Sequence, residues 1–231
     1  LVCAGGGCGG GEGPDRRGLA VSTRGWGRGM SGPPGAEAAG LRQAARYLTA
    51  EPRLVYAFAW QQHGDLRVFV DTDFAGCVRT RKSTSGGCAM LGEHLVKHWS
   101  TTQKVVTLSS GEAELAGIVK GSAEALGLQS LAKDLGFNVQ VPVYADSSAA
   151  IGICRRSGIG RVRHLAVGQL WVQGKVRSGE ITLLKVLGTE NPADVLTKYV
   201  ARDIADKLLR RVSLFRETGR AETAPQVVSP G

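Results

Sequence analysis

Two short apolar segments of this 231-residue chain end directly in an aspartate, and a long helical pattern lies between them. Residues 67–70 (RVFV) run into Asp71, and residues 143–145 (VYA) run into Asp146. Short apolar runs bounded by polar residues are typical of buried strands. Because strand ends of one sheet can converge on a single edge, the two aspartates favour a sheet with acids along that edge.

The remaining hydrophobic pattern predicts an α/β fold, a mixed five-stranded sheet flanked by helices. Further strands are predicted over 53–60, 87–91, 95–100 and 181–187, and helices over 38–48, 110–135, 148–157, 166–178 and from Pro192 onward. Gly111, Gly117, Gly121 and Gly127 fall inside the helix over 110–135, where each costs about 1 kcal/mol relative to Ala. We interpret these glycines as drift or tolerance, and we expect this helix to depend on tertiary packing.

Composition limits the class of protein. Hydrophobic residues make up 42% of the chain, which is enough for a packed core, and no apolar run is long enough to cross a membrane. The net charge of +9 suits a phosphate-bearing partner, although a basic soluble protein without such a partner would look the same. Five cysteines without paired C-x-x-C spacing favour a reducing compartment over a zinc or disulfide framework.

Packing alone does not explain the positions of four acidic residues in the sequence. Asp71 and Asp146 follow strands, Glu114 lies just inside the long helix, and Asp194 lies just after Pro192. Each has a simpler interpretation, since Asp often forms turns and acids in a first helical turn stabilise the helix dipole. Converging carboxylates raise one another's pKa, so such a cluster needs a cation to stay ionised. Oxygen ligands alone favour Mg²⁺ or Mn²⁺ over zinc.

Six segments occur in the order found in one family. They are 70–77 (VDTDFAGC), 80–87 (TRKSTSGG), 109–115 (SSGEAEL), 144–151 (YADSSAAI), 161–165 (RVRHL) and 191–198 (NPADVLTK). Over roughly residues 41–200 the chain closely resembles the ribonuclease H domain of copia-type retrotransposons, whose segments include SDADWAG, TRRSTSG, SSAEAEY, YCDNQSAI, RTKHI and QLADILTK.

The resemblance implies a ribonuclease H-like fold and a metal-dependent endonuclease that cuts the RNA strand of RNA–DNA hybrids. It implies that Asp71, Glu114, Asp146 and Asp194 are catalytic and bind two Mg²⁺ ions, for which Mn²⁺ can substitute. Asp71 would bridge both ions, Glu114 and Asp146 would mainly bind one of them, and Asp194 would mainly bind the other. Two such ions about 4 Å apart drive in-line phosphodiester cleavage.

Helix and strand geometry separate these acids from their neighbours. Glu112 and Glu114 lie about 200° apart around a helix, so both cannot face one site. Glu112 follows Ser109 at the spacing of a capping box, which leaves Glu114 for metal. Asp73 would share a strand face with Asp71, and we assign it either to a turn or to a position that contacts the metal ligands without binding the metal.

Basic and hydroxyl residues near the acids predict contacts with the hybrid, whose phosphates and 2′-hydroxyls such groups bind. The predicted substrate-binding residues are Arg79, Arg81, Lys82, Ser83, Thr84, Ser85, Arg163 and His164. An exposed polar hairpin and a solvated helix end are the simpler alternatives for the two segments. Trp99 and Trp171 lie in apolar periodic segments and are predicted to be core anchors.

The chain departs from the family after residue 165, where the usual acid and second histidine are missing, and no Y-x-D-D polymerase motif occurs. The loop before Asp194 also lacks the histidine that some ribonucleases H carry, which leaves water or Glu190 for proton delivery. Two alternatives therefore stay open: a catalytically weakened remnant that only binds nucleic acid, and another metal nuclease of this fold such as an integrase or resolvase.

Four segments are predicted along the chain. Residues 1–36 form a Gly-rich, disordered tail, with an Arg-Gly nucleic-acid-binding tail as the alternative. Residues 37–60 are a remnant of the connection from polymerase to ribonuclease H, residues 61–212 the ribonuclease H-like domain, and residues 213–231 a C-terminal tail. The chain begins at Leu1, and we expect a fragment of a longer polyprotein, acting as a monomer beside the reverse transcriptase portion.

Overall fold

A computed structural model describes residues 53–62, 64–77, 80–158 and 167–219, together with the isolated helical positions 42, 45, 46 and 49. The predicted tail over 1–36, the chain beyond residue 219 and most of the helix predicted over 38–48 lie outside the described residues. The described residues fall into two compact units. One spans 58–213, and the other combines the residues up to 57 with those from 214 onward.

Seven strands and four α-helices have both of their ends within the described residues. The strands are β1 (Arg53–Tyr56), β2 (Leu66–Asp73), β3 (Thr84–Leu91), β4 (His94–Thr102), β5 (Pro142–Ala145), β6 (Thr182–Lys185) and β7 (Leu214–Glu217). The helices are α1 (Ser110–Asp134), α2 (Ser148–Arg155), α3 (Trp171–Arg177) and α4 (Arg202–Arg210), with 3₁₀ segments at Val167–Leu170, Gly188–Glu190 and Pro192–Leu196.

The larger unit is built on a mixed five-stranded sheet in the order β4-β3-β2-β5-β6. The central strand β2 pairs antiparallel with β3 and parallel with β5, and β6 continues the parallel side. A strand in this position is covered on both faces, which explains its unbroken apolar run, and Val68 and Val70 are fully buried. The predicted mixed five-stranded sheet flanked by helices is confirmed.

Helix α1 lies directly against β2, and two of its glycines permit the close approach. A Cβ at Gly121 would lie 2.3 Å from Val70 Cγ1, and a Cβ at Gly117 would lie 2.5 Å from Thr72 Oγ1. Leu115 on the same helix is fully buried in the core. The interpretation of these two glycines as drift is therefore wrong, because packing requires the absence of a side chain there. At Gly127 a Cβ would meet nothing within 4 Å.

Two predicted helices are divided in the structure. The helix predicted over 166–178 is a 3₁₀ segment followed by α3, and its Trp171 is 39% exposed, so its prediction as a core anchor is wrong, whereas Trp99 is buried as predicted. The helix predicted from Pro192 is a 3₁₀ segment, Pro192–Leu196, and a separate helix α4. Within the described part of the chain, no helix combines the length and apolar character that crossing a membrane requires.

The smaller unit contains a two-stranded antiparallel sheet. Strands β1 and β7 pair from Arg53 with Glu217 to Tyr56 with Leu214. Strand β7 lies inside the segment that the sequence predicts as a C-terminal tail, so the start of that segment has regular structure.

Candidate active site

The first two acids lie side by side on neighbouring parallel strands. Phe69 of β2 is level with Tyr144 of β5, so Asp71 and Asp146, each two residues further along, reach the same level of the sheet edge. Adjacent strands are about 4.8 Å apart, which brings the two side chains close. The Asp71 side chain is fully buried, and Asp146 is partly buried.

The third acid reaches this edge from the start of α1. Ser109 is the N-cap of that helix, and its hydroxyl accepts a hydrogen bond from the Glu112 backbone amide. The Glu112 carboxylate in turn accepts a hydrogen bond from the Leu108 backbone amide. Glu112 is thus held in a capping arrangement, as helix geometry predicts. Glu114 faces the sheet instead. One carboxylate oxygen from each of Asp71, Glu114 and Asp146 lies within 4.8 Å of the others.

The fourth acid, Asp194, lies in the 3₁₀ segment Pro192–Leu196. Asn191 caps this segment with its Oδ1, which accepts from the Ala193 amide at 3.2 Å, and its Nδ2 donates to the Val70 carbonyl at 2.8 Å. This buried asparagine attaches the segment to β2 one residue before Asp71. On the other side, a Cβ at Gly86 would lie 2.6 Å from Thr197 Cγ2, so the glycine lets the segment rest on β3.

Lys198 links the fourth acid to the first. Its Nζ lies 3.2 Å from Asp71 Oδ1 and 3.3 Å from Asp194 Oδ1. The neighbouring Thr197 hydroxyl donates to Asp71 Oδ2. Both oxygens of the buried Asp71 carboxylate are thereby satisfied by two consecutive residues that follow the 3₁₀ segment.

Burial and mutual repulsion raise the pKa values of three acids in the cluster. Burial, and then the nearby charges of Asp71 and Asp146, raise the pKa of Glu114 to about 8. Burial and the charge of Asp71 raise the pKa of Asp194 to about 6 and also raise that of Asp146. For Lys198, burial lowers the pKa, but the carboxylates of Asp71 and Asp194 outweigh it and raise the pKa above its ordinary value.

The residues present fit a divalent cation. Glu114 Oε2 is buried and has no hydrogen-bond partner among the described residues, which is costly for a carboxylate oxygen unless something else coordinates it. The three clustered acids offer only oxygen atoms, the ligands that hard divalent cations such as Mg²⁺ prefer. The acidic triad is therefore compatible with a divalent metal ion.

The predicted substrate-binding residues have different positions. Arg81 is exposed and Lys82 partly exposed, just before β3. Ser83, Thr84 and Ser85 are buried: the Ser83 hydroxyl lies 3.2 Å from Thr107 Oγ1, and Ser85 Oγ accepts from the Gln103 amide.

Burial opposes the prediction that these three hydroxyls contact substrate, because they serve the internal packing of β3. Arg79, Arg163 and His164 lie outside the described residues. Asp73 stands apart from the triad, with its carboxylate over Gly76, where a Cβ would lie 1.5 Å from Asp73 Oδ2.

Three residues of this site are not predicted from the sequence: Asn191, Thr197 and Lys198. Lys198 follows Asp194 by four residues inside a segment quoted for the family resemblance, and that spacing could have identified it as the partner of the acid. The contacts of Asn191 and Thr197 join residues more than 120 positions apart, so no local pattern reveals them. Glu190, predicted as a proton donor, forms an ion pair with Arg211 at 3.2 Å.

Comparison with known proteins identifies the relatives of this chain. A retrovirus-related Pol polyprotein from transposon TNT 1-94 of Nicotiana tabacum is 33% identical over 140 residues, which make up 60% of this chain and 10% of that polyprotein. A retrovirus-related Pol polyprotein from transposon RE2 of Arabidopsis thaliana is 28% identical over 179 residues, 76% of this chain and 12% of the polyprotein. The chain thus spans about a tenth of the length of these curated relatives.

Solved structures give a weaker likeness. The LC11-RNase H1 isolated from compost by a metagenomic approach has a TM-score of 0.43 and 14% identity, over 58% of this chain and 93% of that chain. No protein-family model matches the chain. The chain is thus similar in sequence to a segment of the retrovirus-related Pol polyproteins of these plant transposons, as the resemblance predicts.

Proposed function

We propose that this domain is a metal-dependent endonuclease that hydrolyses the RNA strand of RNA–DNA hybrids. The observation that carries the proposal is the convergence of Asp71, Glu114 and Asp146 within 4.8 Å, from two strands and a helix that are distant in sequence. Repulsion and burial oppose such a cluster, as the raised pKa of Glu114 demonstrates, so a bound cation is its natural counterpart.

In this proposal Asp71 would contribute to holding both of two Mg²⁺ ions, Glu114 and Asp146 would hold one, and Asp194 would hold the other. When bound, the ions would supply the chemistry for phosphodiester hydrolysis, which we expect to leave 3′-hydroxyl and 5′-phosphate ends. The protein's own contribution is to hold the ligands in place. Thr197 fixes Asp71, and the hydrogen bond from Asn191 to the Val70 carbonyl positions the 3₁₀ segment that carries Asp194.

The substrate is proposed from chemistry around the site. Arg81 and Lys82 lie exposed or partly exposed near the end of β2 that carries Asp71, and basic groups there suit the phosphates of a hybrid. Arg79, Arg163 and His164 remain predicted contacts. Because the relatives are Pol polyproteins, we further propose that the domain acts as a monomer beside the reverse transcriptase portion of its parent polyprotein.

The test uses the full chain with a labelled RNA–DNA hybrid, double-stranded DNA and single-stranded RNA, each with Mg²⁺ or with EDTA. We expect Mg²⁺-dependent cleavage of the hybrid alone. Asp71→Asn and Asp146→Asn should each reduce the rate by at least about a hundredfold, because even residues behind metal ligands are worth 10–100-fold. Asp134→Asn, at the exposed end of α1, is the matched control and should cleave normally.

Cleavage that survives both substitutions would refute the proposal. Hybrid binding without cleavage at any Mg²⁺ or Mn²⁺ concentration would instead support the alternative of a catalytically weakened remnant. The glycines Gly117 and Gly121 of α1 do not support this alternative, since packing against β2 explains them.

A further inference from the structure

The two halves of the acidic site differ in how their charge is balanced. On one side, the Lys198 ammonium lies 3.2 Å from Asp71 and 3.3 Å from Asp194. On the other, Glu114 and Asp146 form no ion pair with any described residue, and Glu114 Oε2 is buried without a hydrogen-bond partner. The Lys198 charge lowers the pKa of all three raised acids, but among the described residues it is in contact only with the Asp71–Asp194 half, and no basic side chain is in contact with the Glu114–Asp146 half.

We propose that Lys198 is a built-in counter-ion that holds the Asp71–Asp194 half together before metal arrives and competes with the metal ion for it. The proposal rests on the proposed function for the identity of the ligands. It adds an order of loading: the first ion enters at Asp71, Glu114 and Asp146, and the second, weaker ion enters at Asp71 and Asp194 after Lys198 moves aside.

The physical reason lies in the geometry of the contact. An ammonium and a divalent cation cannot both contact the Asp194 carboxylate at short range without strong repulsion, since two charges about 4 Å apart at a protein surface interact with several kcal/mol. The Lys198 side chain is 41% exposed, so a flexible four-carbon stem has solvent to move into. The Asp71 carboxylate, by contrast, is fully buried and is also fixed by Thr197.

Binding of Mn²⁺, followed by electron paramagnetic resonance of the free ion, measures loading without any reaction. We expect wild type to bind two ions, the second more weakly. Lys198→Met should tighten the second ion about tenfold, which corresponds to about 1.4 kcal/mol, and leave the first within about threefold. Lys198→Gln should do the same. Lys175→Met removes a lysine that pairs with Glu180 instead, and is the matched control.

A second measurement needs no metal. In EDTA, Lys198→Met should lower the folding equilibrium constant about fivefold, and the loss should shrink to about twofold when Asp194→Asn is already present, since the ammonium then pairs only with Asp71. An additive double mutant, or a second ion bound no more tightly in both Lys198 variants, would overturn the counter-ion proposal. A protein that binds no Mn²⁺ in any variant would overturn the metal-dependent function and the loading order, while the double-mutant result would still decide whether Lys198 acts as counter-ion.

Discussion

Replacing Glu114 with glutamine should stabilise the protein at alkaline pH in the absence of metal. The pKa of Glu114 rises from 4.5 to about 8 on folding. Between these values the unfolded chain has released the proton while the folded protein keeps it, so stability falls as pH rises from about 4.5 and levels off above 8. At 1.36 kcal/mol per pKa unit the full cost is about 5 kcal/mol, and access of water to the partly exposed site reduces it to about 2–3 kcal/mol.

The assay is urea unfolding in EDTA at pH 5 and pH 8.5. We expect Glu114→Gln to exceed wild type by about 2–3 kcal/mol at pH 8.5 and by less than about 1 kcal/mol at pH 5. Glu124→Gln on the same helix removes only a surface ion pair with Lys97 and should change stability by less than about 1 kcal/mol at both values. Saturating Mg²⁺ should reverse the ranking at pH 8.5, because a ligand bound only by the folded state stabilises it. Equal or lower stability of Glu114→Gln in EDTA at pH 8.5 would refute the electrostatic account of the cluster.

Three further predictions concern packing and reactivity. Gly121→Ala should destabilise the protein by about 1–3 kcal/mol, because the added Cβ would clash with Val70. Gly127→Ala has open space around the added Cβ and should stabilise α1 by up to about 1 kcal/mol. Thermal unfolding of the two variants measures the difference. Asn191→Ala should cost about 1–3 kcal/mol, as it leaves the buried Val70 carbonyl unpaired, and should slow cleavage of the hybrid, with urea unfolding and initial rates as the two measurements. Cys154 is buried and its pKa is raised to about 12, so peptide mapping after iodoacetamide treatment at pH 8 should find it alkylated only in the unfolded protein.

The part of the site that the sequence predicts is the part that depends on local periodicity. The period of a strand places Asp71 and Asp146 directly after buried residues, and the period of a helix separates Glu112 from Glu114. Each of these acids lies where that reasoning places it, because strands and helices impose their geometry whatever surrounds them. The mixed sheet follows for the same reason, from the order of strand and helix patterns.

Prediction fails where a polar segment is buried by tertiary contacts. Ser83, Thr84 and Ser85 have the composition of an exposed hairpin, yet they lie at the start of β3, which is paired with β4 on one side and β2 on the other, and all three are buried. Their burial depends on partners such as Gln103 and Thr107, which local composition does not reveal. The glycines of α1 illustrate the same limit, since Gly121 looks unfavourable for a helix until Val70 is placed against it.

The position of Asp194 depends on tertiary contacts, which the sequence motif around it does not reveal. Asp194 belongs to a 3₁₀ segment of five residues, too short to fix its own orientation. Its direction depends on the bond from Asn191 to the Val70 carbonyl, which spans 121 residues, and on the Lys198 contact that ties it to Asp71. The first contact is buried and neutral, so it persists whether or not a cation is bound. The second is ionic and partly exposed, so it can yield to a competing cation. The proposed fourth ligand is therefore positioned by one permanent and one exchangeable contact, and we expect this arrangement to allow metal entry without local unfolding.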